Sequence, residues 1–202
     1  MGNANGTNKS KAPQLKQSQL DEYVGSTNFT APEIKALYFH FGQLASDEKG
    51  ELLINRSDFQ SALGMKNSTF VDRLFAVFDE NGDGGINFVE FLTILSVLST
   101  KASTKDKLEV SFKIYDMDGD GVIGRDELTA MLRATVDEHS LVLDEAQLNS
   151  VIDATFSELP GSKNSIDLKA YSSLVDTHPM MLSQLTLNIS TLVAEQTQGK
   201  NL

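Results

Sequence analysis

The sequence predicts an all-α fold: four helix–loop–helix units in two paired lobes, with very short β pairings between loops. Three observations predict it. Apolar residues recur at helical spacing along most of the chain. A weak internal repeat sets an apolar helix, a polar loop and a second apolar helix in succession. Each polar loop also holds one isoleucine, Ile54, Ile86, Ile123 or Ile166, a β-branched residue suited to a brief strand.

Residues 1–29 are polar, rich in Asn, Ser, Gln and Lys, and are expected to form a flexible arm with at most one weak helix. Order is expected from Thr30, where Thr30-Ala31-Pro32-Glu33 reads as a capping box with Pro32 in the first turn. The entering helices carry Leu37 and Phe41, then Leu74, Phe75 and Phe78, then Leu108, Phe112 and Tyr115, then Val151, Ile152 and Phe156. The exiting helices begin at Phe59, Phe91, Leu128 and Tyr171. The units therefore divide into an N-terminal pair over 30–98 and a C-terminal pair over 107–178. Residues 99–106 are expected to link the pairs, and 179–202 to form a C-terminal tail.

The loops Asp79 to Glu90 and Asp116 to Glu127 match the twelve-residue EF-hand calcium loop position by position. Calcium is a hard cation that takes 6–8 oxygen ligands. Positions 1, 3 and 5 offer side-chain oxygens: Asp79, Asn81 and Asp83, then Asp116, Asp118 and Asp120. Gly84 and Gly121 sit at position 6, where the chain must turn sharply. Position 7 needs only a carbonyl, so Gly85 and Val122 are expected to serve whatever their side chains. Glu90 and Glu127 close the loops as bidentate ligands, which suits calcium better than octahedral magnesium. Ile86 and Ile123, at position 8, are expected to pair with partner loops.

Those partners are weaker loops. The first, from Ala45 to Asp58, is two residues longer than the standard and lacks a side-chain ligand at Ala45. It reads either as a calcium loop served by carbonyls or as a structural partner setting Ile54 against Ile86. The fourth runs from Leu159 to Ala170, with Lys163 where an ion would sit. It is expected to bind no calcium and to set Ile166 against Ile123.

Composition narrows the function. The net charge of −11 disfavours nucleic acid, whose phosphates would be repelled. The absence of cysteine removes disulfides, thiolate metal sites and cysteine catalysis. No apolar run approaches the roughly 20 residues needed to cross a bilayer. His40, His139 and His178 lie far apart in sequence and form no nucleophile arrangement, so an enzyme is not expected.

The stretches EIKALYFHF, LLINRSDFQSAL, FKIYDMDGDGVIGRDEL and HSLVLDEAQLNSVIDATF resemble the calcineurin B-like proteins, a family related to calcineurin B. The resemblance runs from about Glu33 to Ser190, and the long first loop and the span His139–Leu143 are among its marks. It implies a calcium-sensing regulatory protein without catalysis of its own. Such a protein binds an amphipathic, apolar segment of a serine/threonine kinase in a calcium-dependent groove. A calcineurin B-type regulatory subunit would instead hold a helix of a phosphatase catalytic subunit. A calcium buffer, which binds ions but barely opens, is the further alternative. The chain lacks the family's C-terminal Phe-Pro-Ser-Phe-type motif, and without cysteine it cannot be palmitoylated.

The two ends carry separate expectations. Met1-Gly2-Asn3-Ala4-Asn5-Gly6 invites N-myristoylation at Gly2, although Thr7 stands one place late; a plain flexible tail is the alternative. One acyl chain gives marginal, reversible membrane contact. The expected location is thus the cytoplasm, peripheral at the membrane when acylated. Leu182, Leu185, Ile189, Leu192 and Val193 form a C-terminal apolar stripe that either packs on the core or competes with a partner for the groove. That groove is expected to run across both lobes, along Leu37, Phe41, Phe75, Phe112 and Leu132.

Overall fold

The computed structural model describes residues 15–48, 50–66, 69–138, 140–159 and 164–178. The N lobe comprises α1 (Gln17–Ser26), α2 (Ala31–Leu44), α3 (Arg56–Leu63), α4 (Thr69–Phe78) and α5 (Phe88–Leu98). The C lobe comprises α6 (Thr104–Tyr115), α7 (Arg125–Glu138), α8 (Glu145–Ser157) and α9 (Leu168–Thr177). Among the described residues, five short strands lie between them: β1 (Ser46–Glu48), β2 (Glu51–Asn55), β3 (Gly85–Ile86), β4 (Val122–Gly124) and β5 (Ser165–Asp167). The predicted mostly helical class holds.

Helix α2 shows how sequence sets an element. The Thr30 amide and hydroxyl both donate to Glu33 Oε2, at 2.8 Å each, and Pro32 occupies the first turn. Ile34, Leu37 and Phe41 then fall on one face and are buried. Each buried side chain of this size stabilises the fold by about 1.5–3 kcal/mol. The N-lobe core closes around them with Ile54, Phe59 and Ile86. The C-lobe core gathers Phe112, Ile123, Leu148, Ile152, Ile166 and Tyr171.

The loops pair antiparallel. Ile54 lies opposite Ile86, and Ile123 opposite Ile166. The first loop goes further than a brief pairing. Its two extra residues let β1 fold back on β2, with Ser46 opposite Leu53 and Glu48 opposite Glu51. The N-lobe sheet therefore has three strands in the order β1-β2-β3.

Two expectations are corrected. The arm is not flexible throughout residues 1–29: α1 occupies Gln17–Ser26 and packs on α2. Leu20 and Phe29 are buried in the N-lobe core, and the Asn28 amide donates to Ser96 Oγ at 2.8 Å. Leu15 and Tyr23 pack against the same core and help hold this segment, and its mean polarity conceals these few apolar anchors. Second, Leu37, Phe41, Phe75 and Phe112 are not exposed along a face of the molecule; all four are buried in the lobe cores. The linker is also short, since α6 starts at Thr104, within the expected 99–106 span, and Val110 joins the N-lobe core. Gly2 and the tail 179–202 lie outside the described residues.

Candidate metal centre

The entering helix of each strong loop delivers the first ligand at its end. Asp79 N donates to Phe75 O, and Asp116 N to Phe112 O, each as the last helical turn closes. The chain then wraps around its own carboxylates. Asp79 accepts from the amides of Asp83 and Gly84, at 3.1 and 3.0 Å. Asp116 accepts from Gly119 and Gly121, at 2.8 and 3.2 Å. Asn81 accepts from Asp83 N and Asp83 from Gly85 N; Asp118 and Asp120 repeat the arrangement with Asp120 N and Val122 N. These turns point successive side-chain oxygens inward.

In the third loop the carboxylates of Asp116, Asp118 and Asp120 each place an oxygen within 4.8 Å of the others. Asp116 is buried, whereas Asp118 and Asp120 are exposed. Glu127, from the first turn of α7, reaches back across the loop. Its Oε1 accepts from Met117 N at 2.6 Å and Asp118 N at 3.2 Å, and its Oε2 from Gly124 N at 2.7 Å. In the second loop, buried Glu90 does the same, accepting from Asn81 N at 3.2 Å and Asn87 N at 2.9 Å. Gly85 and Val122 lie on β3 and β4, where the ladder fixes their backbone. Among the described residues the third loop is the one that gathers its carboxylates this closely, through Asp116, Asp118 and Asp120; in the second loop Asp79, Asn81, Asp83 and Glu90 each accept from amides of their own loop. An all-oxygen donor set with a carboxylate able to bind through both oxygens fits a calcium ion. Asp79, Asn81, Asp83, Gly85 and Glu90 would hold one ion; Asp116, Asp118, Asp120, Val122 and Glu127 would hold another.

Two features go beyond the sequence reading. Gly82 and Gly119, at position 4, adopt φ of 70° and 74°, in the same left-handed region as the position-6 glycines. Their recurrence in both loops was visible in the sequence. The second is a correction: Gly85 cannot carry any side chain unchanged. A Cβ there would stand 2.9 Å from Leu53 Cδ1 and 3.0 Å from Leu53 Cβ. Only the β2–β3 pairing reveals this, because Leu53 is far away in sequence.

The first loop shows a different chemistry. Asp58, the residue expected to close it, accepts from Asn55 Nδ2 at 2.8 Å and Ser46 Oγ at 3.1 Å. Its hairpin supports the β3 strand of the second loop. The fourth loop contributes β5 opposite β4.

Next to the third loop lies an apolar cavity of about 370 Å³. Tyr115, Leu128, Leu132, Val151, Tyr171 and Leu174 line it, and His178 stands at its edge. Burial raises the Tyr171 hydroxyl far above its ordinary pKa, only partly offset by its hydrogen bond with Ser111, so it is a neutral part of the wall. Of the five residues expected to line a groove, Leu132 is the one found at this cavity.

Comparison with known proteins agrees with this geometry. An EF-hand domain pair model matches residues 53–96 and 90–135. The calcineurin B protein of Naegleria gruberi is 39% identical, over 76% of this chain and 82% of its own. The calcineurin B protein of Yarrowia lipolytica is 37% identical, over 71% and 80%. Calcineurin B-like protein 5 of Arabidopsis thaliana is 30% identical, over 85% and 87%. With its two complete calcium loops and such coverage, the chain belongs to the calcineurin B and calcineurin B-like family of EF-hand proteins, and its cofactor is Ca²⁺.

Proposed function

We propose that the chain is a non-catalytic calcium sensor that holds an amphipathic helix of a serine/threonine kinase or phosphatase catalytic subunit. The C-lobe cavity carries this reading. It is lined by apolar side chains from α6, α7, α8 and α9, and α7 is the helix that Glu127 ties to the third loop. An ion that draws Glu127 inward moves α7, and with it Leu128 and Leu132 on the cavity wall. A helix with apolar anchors at i, i+3, i+4 and i+7 fits such a surface. The similarity to calcineurin B proteins supports the phosphatase; the similarity to the B-like protein supports the kinase.

Fluorescent peptides from both kinds of catalytic partner, titrated with calcium and with chelator, test the reading. Calcium-dependent binding of one peptide, lost in Leu132→Glu, supports it. Binding of neither, with no calcium-dependent uptake of an apolar dye, leaves a calcium buffer instead. We propose in addition that Gly2 is myristoylated, giving a cytoplasmic protein reversible membrane contact. The C-terminal stripe from Leu182 to Val193 competes with the partner helix, since the chain passes His178 at the cavity edge just before it.

A further inference from the structure

Helix α4 enters the second loop, yet its outward face grips the third unit. Val71, Phe75 and Phe78 are buried in the N-lobe core. Arg73 points the other way. Its Nε donates to Lys113 O at 3.0 Å and one terminal nitrogen to Met117 O at 3.3 Å. The other donates to Lys113 O and Asp116 O. One guanidinium thus caps the C-terminal carbonyls of α6 where the chain becomes the third loop. Helix C-termini leave such carbonyls without intrahelical partners and favour a cation there. Three residues before α4, Lys66 Nζ donates to Asp137 O and Ser140 Oγ, both at 2.7 Å, around the end of α7. A single N-lobe segment therefore holds the C-terminal ends of both helices that flank the third loop. Helix α4 also packs directly on α6 and α7.

We infer that α4 couples the two calcium loops: filling the second loop tightens calcium binding at the third, through Arg73. This rests on calcium filling both loops, as the site geometry indicates. An ion in the second loop fixes Asp79, and so the end of α4. Arg73 is then held where it orders Lys113, Asp116 and Met117. Asp116 supplies the first ligand of the third loop, so less of that loop remains to be ordered when its own ion arrives. Binding that completes part of the ordering for a second ligand gives positive cooperativity, and by linkage the effect is reciprocal.

The test is a cycle of calcium titrations on the full chain, read by NMR at the amides of Gly84 for the second loop and Gly121 for the third. Glu90→Gln silences the second loop. The expected result is that Glu90→Gln weakens calcium at the third loop by about fivefold or more, the lower range of allosteric coupling. In an Arg73→Ala background the same change should alter third-loop affinity by less than about twofold. Arg73→Lys keeps the charge but cannot reach three carbonyls in one plane, and should lose most of the coupling. Circular dichroism confirms that the variants fold. Equal coupling with and without Arg73 overturns the inference, as does no coupling in the parent. So does Arg73→Ala that tightens the third loop equally in both backgrounds, since Arg73 would then act only as a repelling charge. If Glu90→Gln leaves the Gly84 response intact, the assignment of the second loop fails instead, and with it the basis of the coupling.

Discussion

Gly85→Ala is the sharpest test of how the N-lobe loops are joined. Gly85 is not among the glycines with positive φ, so alanine adds no left-handed strain; it adds one carbon. That carbon would lie 2.9 Å from Leu53 Cδ1, 3.0 Å from Leu53 Cβ and 3.3 Å from Leu53 Cγ. A rotamer change relieves the first and third contacts. The second is fixed by the β2 backbone, so relief requires the strands to separate. Overpacking of this kind costs about 1–3 kcal/mol. For a chain of this size each kcal/mol shifts Tm by about 2–4 °C, so the variant should melt roughly 2–12 °C lower. Its second loop should also bind calcium more weakly, because the Gly85 carbonyl, the expected position-7 ligand, must move. Leu53→Ala removes two of the three contacts, so the double variant should lose less than the sum of the single ones. Thermal melting by circular dichroism, with and without calcium, reads both effects. An unchanged Tm and unchanged second-loop affinity in Gly85→Ala would refute the packing argument, as would strict additivity with Leu53→Ala.

Glu90→Gln and Glu127→Gln should each remove about one ion per chain, because each deletes a bidentate closure; calorimetric stoichiometry checks this. Co-expression with an N-myristoyltransferase should add one acyl chain, blocked by Gly2→Ala, and intact mass reads the result. Deleting the residues after Thr177 should strengthen binding of a partner peptide; an unchanged affinity excludes the competing tail. Burial works against the Glu33 carboxylate, but hydrogen bonds from Lys101 and Thr30 outweigh it and hold its pKa below the ordinary value. Its stabilisation is therefore present above the ordinary carboxylate pKa and fades as pH falls through the lowered one. For so exposed a pair this amounts to less than about 1 kcal/mol, and Glu33→Gln should flatten the acid limb of a Tm–pH profile by that much.

Most of the site was legible because an EF-hand loop is a local object. Asp116 to Glu127 reach one another within twelve positions, and their roles follow from spacing alone. The Ile54–Ile86 and Ile123–Ile166 pairs were legible for a related reason: one isoleucine recurs at the same place in each repeat. What the sequence concealed was non-local. Leu53 excludes a side chain at Gly85 only because β2 lies beside β3. Arg73 reads as an ordinary charge on an amphipathic helix, yet it caps a helix some 40 residues further on. Leu20 has Tyr23 and Val24 at helical spacing, but the run is too short to stand out from a polar arm, and Phe29 stands apart, although Leu20 and Phe29 are both buried. The groove was misjudged for the opposite reason: Leu37 and Phe41 have the right period, but periodicity reports an apolar face and not whether something already covers it.

The two complete loops are not equivalent, and the difference points to the C lobe as the more responsive half. The second loop offers Asp79, Asp83 and Glu90 as carboxylates, with neutral Asn81 at position 3. The third offers four: Asp116, Asp118, Asp120 and Glu127. Three of these hold oxygens within 4.8 Å of one another. At that separation a pair of charges repels by about 3.5 kcal/mol at an effective dielectric of 20, and by about 0.9 kcal/mol in water. Asp118 and Asp120 are exposed, so the lower figure is nearer for their mutual repulsion. Even so, three such pairs would work against closing the loop, and a divalent cation bound among them would offset that repulsion. Glu127 would carry that change into α7, whose Leu128 and Leu132 line the apolar cavity. On the proposed reading, the charge, the helix it would move and the partner's surface lie within one lobe. The second loop sits across α4 from them, where the coupling inferred above would let it set how readily the third one responds.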